Sequence, residues 1–216
     1  MNFVFAGSII LSSTHSIVVC SLCLYAFCFE PWLSVNPVSE ESVVVRSSCA
    51  ILVGYMFADT LLDTYITVRH FRYIGDIGFI FHHFACVYGY YAPVIYGVLC
   101  YFANYRLMAE LSTPFVNMRW VLSTLGYSKA DSVYFINGIA MLISFYSVRI
   151  LAMPFYWYKV YTVYNTVYFN KLGSLRLVLF IPCFVLDVLN IYWGYKMYIG
   201  ARKTIASKLE NGRKES

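Results

Sequence analysis

Charge is scarce in this sequence. Asp, Glu, Lys and Arg together make up 12% of its 216 residues, about half of what a soluble domain of this length carries. With 60% hydrophobic residues and a mean hydropathy of +0.64, the composition excludes an ordinary water-soluble globule. It points to a chain that crosses a membrane several times. The signatures of several enzyme classes are also missing: there is no Gly-rich phosphate loop, no Ser in a nucleophile elbow and no zinc spacing of Cys and His. The net charge of +5 comes mostly from the C-terminus. No basic face accompanies it, which excludes nucleic acid as a partner. No basic segment precedes the first apolar run and no A-x-A site follows it, which argues against a cleaved signal peptide. Seven cysteines are present, but each lies in an apolar run. Cys20 and Cys23 form a C-x-x-C with no second pair, so these residues read as small packing side chains rather than a disulfide framework or a metal site.

What the chain does have is long apolar runs. About 20 residues of helix cross the hydrocarbon, and six spans are expected, at about 14–29, 43–66, 74–92, 95–112, 133–157 and 174–200. An acidic loop, 30–42, holds Glu30, Pro31, Pro37, Glu40 and Glu41. Pro93 is expected to break the third span and Pro114 to stop the fourth. Residues 113–132 read as a polar connection and 158–173 as a Tyr-rich connector, and the tail from Arg202 reads as charged and frayed. The expected division is an N-terminal segment, 1–13, a transmembrane domain, 14–200, and a basic tail, 201–216. The apolar run begins within two residues of Met1, at Phe3, which reads as a chain shortened at its N-terminus.

Six spans put both termini on one side. Arg69, Arg72, Arg119, Lys129, Arg202, Lys203, Lys208, Arg213 and Lys214 fall on that side, against Arg46, Lys159, Lys171 and Arg176 on the other. Lys and Arg mark the cytosolic side, so the C-terminus is expected to be cytosolic.

Several expensive polar residues then share one depth. From the helical rise, Asp59 lies roughly 10 Å in from the cytosolic end of its span, His82 and His83 roughly 12 Å, and Arg106 roughly 9 Å, with Asn104 one turn deeper. Ionisable residues inside a bilayer are functional candidates by default. His82, His83 and Asp59 form the candidate catalytic set: a membrane His beside a carboxylate acts as a general base or attacks an activated acyl group. Asn104, Arg106, Glu110 and Asp63 form the candidate lipid-binding set, in which Arg106 holds a carboxylate, a phosphate or a developing oxyanion. Each has a plainer reading. Asp63 shares a face with Asp59 and sits in interfacial water, and Arg106 and Glu110 neutralise each other as an i,i+4 pair. A His in a membrane helix is often a helix–helix hydrogen bond. Adjacent histidines point about 100° apart, so one faces the site while the other supports it. Arg149 and Asp187 lie elsewhere in depth and read as a structural pair.

The chain resembles the TLC-domain family, which includes ceramide synthases and translocating-chain-associated membrane proteins. The resemblance covers about residues 14–200. It rests on Gly54-Tyr55 with Asp59, Gly75-Asp76 leading to His82-His83-Phe84-Ala85, Tyr101-Phe102-Ala103-Asn104-Tyr105-Arg106-Leu107, and above all the run from Glu110 to Trp120. Leu125-Gly126-Tyr127, Val148-Arg149-Ile150, Met153-Pro154 and Leu186-Asp187 with Asn190 complete it. It implies an all-α multi-pass transmembrane helical bundle in the endoplasmic reticulum, tied to acyl-lipid or sphingolipid metabolism. In ceramide synthases a tandem His is catalytic, and His82-His83 match its position. Downstream this chain departs: Glu110-Leu111-Ser112-Thr113-Pro114 stands where those enzymes carry His-Asp.

The leading expectation is a protein of lipid homeostasis that binds a membrane lipid in its bundle, as a regulator or lipid handler, without a cofactor or metal. An acyltransferase with acyl-coenzyme A as co-substrate is the alternative, and a proton-coupled transporter the third. A homo-oligomer is compatible with each.

Overall fold

The computed structural model describes the backbone of residues 3–70, 77–129 and 131–215, and the side chains of 7–62, 64–65, 78–129 and 131–205. Those residues form helices α1 (Phe3–Phe29), α2 (Trp32–Val35), α3 (Val43–His70), α4 (Ile77–Tyr96) and α5 (Cys100–Leu107). A 3-10 turn, Met108–Ser112, leads into α6 (Thr113–Thr124). Next, α7 (Ser132–Phe145) passes through a π-helical turn, Tyr146–Leu151, into α8 (Ala152–Val163). Then come α9 (Val167–Lys171), a 3-10 turn (Gly173–Arg176) and α10 (Leu177–Glu215). No strand occurs among the described residues.

The helices close into a ring. α1 packs on α3, α3 on α4, α4 on α10, α10 on α7, α7 on α6, and α6 back on α1. α5 touches α1, α3 and α4; it buries Asn104 and Leu107 on that side and Phe102 against Tyr156. The inward faces follow from the sequence. On α1, Ser12, Ser16, Val19, Cys23 and Ala26 recur every three or four residues and are buried; on α3, Val45, Cys49, Leu52 and Met56 do the same. These stripes are mostly small, which lets helices approach closely where lipid supplies no hydrophobic driving force. Six of the seven cysteines are buried in this way and all seven are free thiols.

The outward faces carry Ile10, Ile17, Leu24, Ile136, Ile143, Phe184, Val188 and Ile191, all largely exposed. A continuous apolar exterior is what a bilayer demands and water does not tolerate. Four helical stretches among the described residues are long and apolar enough to cross a membrane: Gly7–Phe29, Val43–Leu62, Ser132–Val163 and Gly173–Ile205. The multi-pass helical bundle is thus present. α4 has a sufficient 20 residues but carries the two histidines and is not one of the four.

The fourth expected span is where the structure differs most. Pro114 does not stop a helix; it lies in the first turn of α6, where its missing N–H would have no partner anyway. The polar connection expected at 113–132 is therefore helical to Thr124 and forms one wall of the ring. Pro93 lies inside α4 rather than ending it. The Tyr-rich connector begins only after α8 ends at Val163, and α10 continues through the tail expected to fray.

Candidate functional site

The ring encloses a chamber of about 540 Å³, within the range of small-molecule sites. α1 contributes Ser8, Ile9, Ser12 and His15, α3 contributes Tyr55, Met56, Asp59 and Leu62, and α4 contributes Phe79, His82 and His83. Glu110 and Ser112 enter from the 3-10 turn, Thr113, Val116, Asn117 and Trp120 from α6, Phe145 and Arg149 from the α7–π segment, and Trp193, Lys196 and Met197 from α10. These positions come from the first half of α1, the second half of α3 and the first half of α4. The chamber therefore occupies the end of the ring where α1 begins and α3 finishes, and α5 fills the other end.

Two histidine–carboxylate pairs face it. His83 Nε2 lies 3.7 Å from Asp59 Oδ2, and the other ring nitrogen, Nδ1, is 2.9 Å from Thr60 Oγ1. Ser8 donates to Asp59 Oδ1 at 2.8 Å. This supports His83 from both sides. On the adjoining wall His15 Nε2 lies 3.7 Å from Glu110 Oε2, and its ring stacks on Tyr55 with centroids 3.7 Å apart. His82 lies beside Trp193, ring centroids 5.5 Å apart, with Nε2 at 3.6 Å from Cys86 Sγ. The tandem histidines thus divide as helical geometry requires: His83 is held in a pair, and His82 turns toward α10.

Arg149 is the best-connected cation of the chamber. Nε donates to Ser112 Oγ at 2.9 Å and to the Ala109 carbonyl at 3.1 Å, and Nη1 donates to Asn190 Oδ1 at 3.2 Å. Nη2 is 3.7 Å from Glu110 Oε1, whose other oxygen accepts from Thr113 at 2.7 Å. The π turn, a feature that often marks functional sites, carries this Arg. Arg149 is 7% exposed, so its charge depends on these partners.

Two expected pairings are corrected. Arg106 does not neutralise Glu110, and Arg149 does not pair with Asp187. Arg106 instead makes a two-pronged contact with Asp187, at 2.5 and 3.2 Å. Trp157 donates to the same carboxylate at 2.7 Å, and the guanidinium lies 3.8 Å above the Tyr156 ring. Asn104 donates to the Cys23 carbonyl at 3.2 Å and is 1% exposed. Asn104 and Arg106, both in the candidate lipid-binding set, therefore lie outside the chamber. Asp59, His82, His83 and Glu110 line it. The side chain of Asp63 lies outside the described residues, as do Gly75 and Asp76.

Sequence reasoning passed over His15, Trp193 and Lys196, read Arg149 as structural, and gave Tyr55 and Asn117 no place in the site. A signal existed for His15: Ser8, Ser12 and His15 are spaced by four and three and share one face of α1.

Beside the chamber lies a groove of about 340 Å³ between α6, α7 and α10, walled by Phe135, Ile139, Leu142 and Ile205, with Arg119 over the Tyr134 ring. Val116, Lys196 and Met197 belong to the walls of both hollows.

A family model described as TLC domain matches residues 7–199. TLC domain-containing protein 4-B of Danio rerio is 39% identical over 97% of this chain and 78% of its own length. TLC domain-containing protein 4 of Homo sapiens is 38% identical over 96% of this chain and 81% of its own. TLC domain-containing protein 4 A of Dictyostelium discoideum is 26% identical over 89% and 75%. No solved structure matches.

Proposed function

The chain belongs to the TLC-domain family of membrane proteins, and from that premise we propose that it binds a membrane lipid inside its helical ring and acts in lipid homeostasis as a lipid handler or regulator. The observation that carries this reading is a mainly apolar chamber into which His15, Asp59, His82, His83, Glu110 and Arg149 converge, beside an apolar groove that shares three of its wall residues. A lipid has the same division, a polar end and an apolar tail. The distribution of Lys and Arg supports a cytosolic C-terminus, and the endoplasmic reticulum, with its sphingolipid and acyl-lipid traffic, is the setting that fits the family.

The test is lipid retention. Protein purified into nanodiscs of a single synthetic lipid is washed, extracted and analysed by mass spectrometry for the cellular lipid it keeps. Ser12→Trp, which fills the chamber from α1, is expected to lose that lipid while still unfolding cooperatively. Equal retention by the variant overturns the reading.

A second reading, acyl transfer from acyl-coenzyme A, is favoured by one observation: His83 is oriented by Thr60 and faces Asp59, the arrangement of a supported general base. Labelled acyl-coenzyme A offered with long-chain bases and lysolipids separates the two. Product made by the wild type and not by a His82→Ala/His83→Ala variant of equal folded yield establishes the enzyme.

A further inference from the structure

Among the described residues, each formal charge on the chamber wall already faces an opposite charge, a hydrogen-bond partner or an aromatic ring. Glu110 has Arg149 at 3.7 Å and accepts from Thr113. Asp59 accepts from Ser8 and faces His83. Arg149 spends its donors on Ser112, Asn190 and the Ala109 carbonyl. Lys196, on the wall shared with the groove, lies 4.6 Å from the Tyr192 ring centroid. An anionic head entering here meets Asp59 and Glu110, and a cationic one meets Arg149 and Lys196. Either would have to break a satisfied pair in a setting where an unpaired charge is costly.

The unmet capacity is of another kind. His15 is 6% exposed and His82 9%, both line the chamber, and no partner lies within hydrogen-bond distance of His82 Nδ1 or of either His15 nitrogen, Glu110 Oε2 standing 3.7 Å from His15 Nε2. Buried polar atoms of this sort are expected to be satisfied. An imidazole brings one donor and one acceptor when neutral. The group that satisfies such nitrogens without adding charge both donates and accepts, as a hydroxyl does.

We propose that the chamber is a site for a lipid whose polar end is an uncharged hydroxyl, hydrogen-bonded by His15 and His82, which discriminates against lipids ending in a carboxylate, a phosphate or an amine. The inference rests on the lipid-binding reading and narrows it to a ligand class. His15, which stacks on Tyr55, is a recognition residue of the site together with His82.

Three matched probes test it: 9,10-dibromooctadecanol, the corresponding acid and the corresponding amine. Their bromines quench tryptophan at short range. Each is titrated by mole fraction into nanodiscs holding the full chain, and a Trp193→Phe variant run in parallel isolates the signal of the chamber residue Trp193. The alcohol is expected to saturate at a mole fraction at least about fivefold lower than the acid or the amine, since one hydrogen bond contributes up to about tenfold in affinity. His15→Leu and His82→Leu are each expected to weaken alcohol quenching by about five- to tenfold. His15→Gln, which keeps a donor and an acceptor, is expected to lose less. Equal or stronger saturation by the acid or the amine overturns the hydroxyl preference and leaves lipid binding standing. No saturable quenching by any probe overturns both. The headgroup comparison is made on the unaltered chain, so it decides the matter even where a His variant folds poorly.

Discussion

At the scale of single residues, two arginines set in the bundle each have their own carboxylate: Arg106 with Asp187 outside the chamber, and Arg149 with Glu110 on its wall. The consequence for stability is asymmetric. Removing one member of a buried pair leaves the other uncompensated, whereas removing both replaces the pair with apolar contact. Arg106→Met is therefore expected to destabilise by about 3–5 kcal/mol, and Arg106→Met with Asp187→Leu by clearly less than the single change. Thermal unfolding in detergent, followed by size-exclusion fluorescence, measures this; a double variant worse than the single would show that the pair stabilises by more than its mutual compensation. The layer of polar residues was legible in part because depth follows from counting along helices: Asp59, His82 and His83 meet in one chamber, joined by Glu110, whereas Arg106 and Asn104, counted to the same layer, lie outside it. Their partners were not legible. Arg106 and Asp187 are 81 positions apart, and no local spacing reports which helices adjoin. The i,i+4 relation of Arg106 to Glu110 was a real proximity, but the 3-10 turn from Met108 twists Glu110 toward α1 and away from it.

At the scale of elements, the turns between helices are tuned individually. Gly97 has φ +68° and an added Cβ would sit 2.8 Å from Glu41 Cδ, whereas Gly126, with φ +84°, faces open space. Gly126→Ala thus meets only the backbone cost of a left-handed conformation, about 1–2 kcal/mol. Gly97→Ala meets that cost and also displaces Glu41, which pairs with Arg46, while Arg46 also donates to the Val94 carbonyl at 3.0 Å. Gly97→Ala is expected to lower the melting temperature more than Gly126→Ala; the reverse order would mean that the Glu41–Arg46 contact does not brace this turn. The π turn Tyr146–Leu151 makes a different kind of statement. A π turn holds one residue more than the α-helical path, so deleting Ser147 is expected to restore a plain helix with its flanks still in line and to draw Arg149, carried on that turn, off the chamber wall. Lipid retention should fall sharply while helix content by circular dichroism stays unchanged. Helix existence was readable from the apolar runs. The continuation through Pro114 was not, because a proline in the first turn of a helix and a proline ending one look alike until the preceding backbone is known.

At the scale of the whole molecule, the orientation inferred from Lys and Arg is open to direct test. In sealed microsomes, whose outer face is cytosolic, a tag at the C-terminus is expected to be removed by added protease. A cysteine placed at the exposed position Ser39, in a chain whose exposed Cys28 is replaced by Ser, is expected to resist a membrane-impermeant maleimide until detergent is added. Labelling of that position in intact microsomes would invert the orientation. The ring with α5 lodged in one end has a further consequence. Its chamber and groove lie toward the end where α10 leaves the ring, so a molecule passing between Ile139 and Ile205 enters from a single leaflet. On the lipid-binding reading, the protein is then expected to sample the composition of one monolayer and not of the other. An asymmetric vesicle, with the bromoalcohol confined to one side, should quench Trp193 from that leaflet alone.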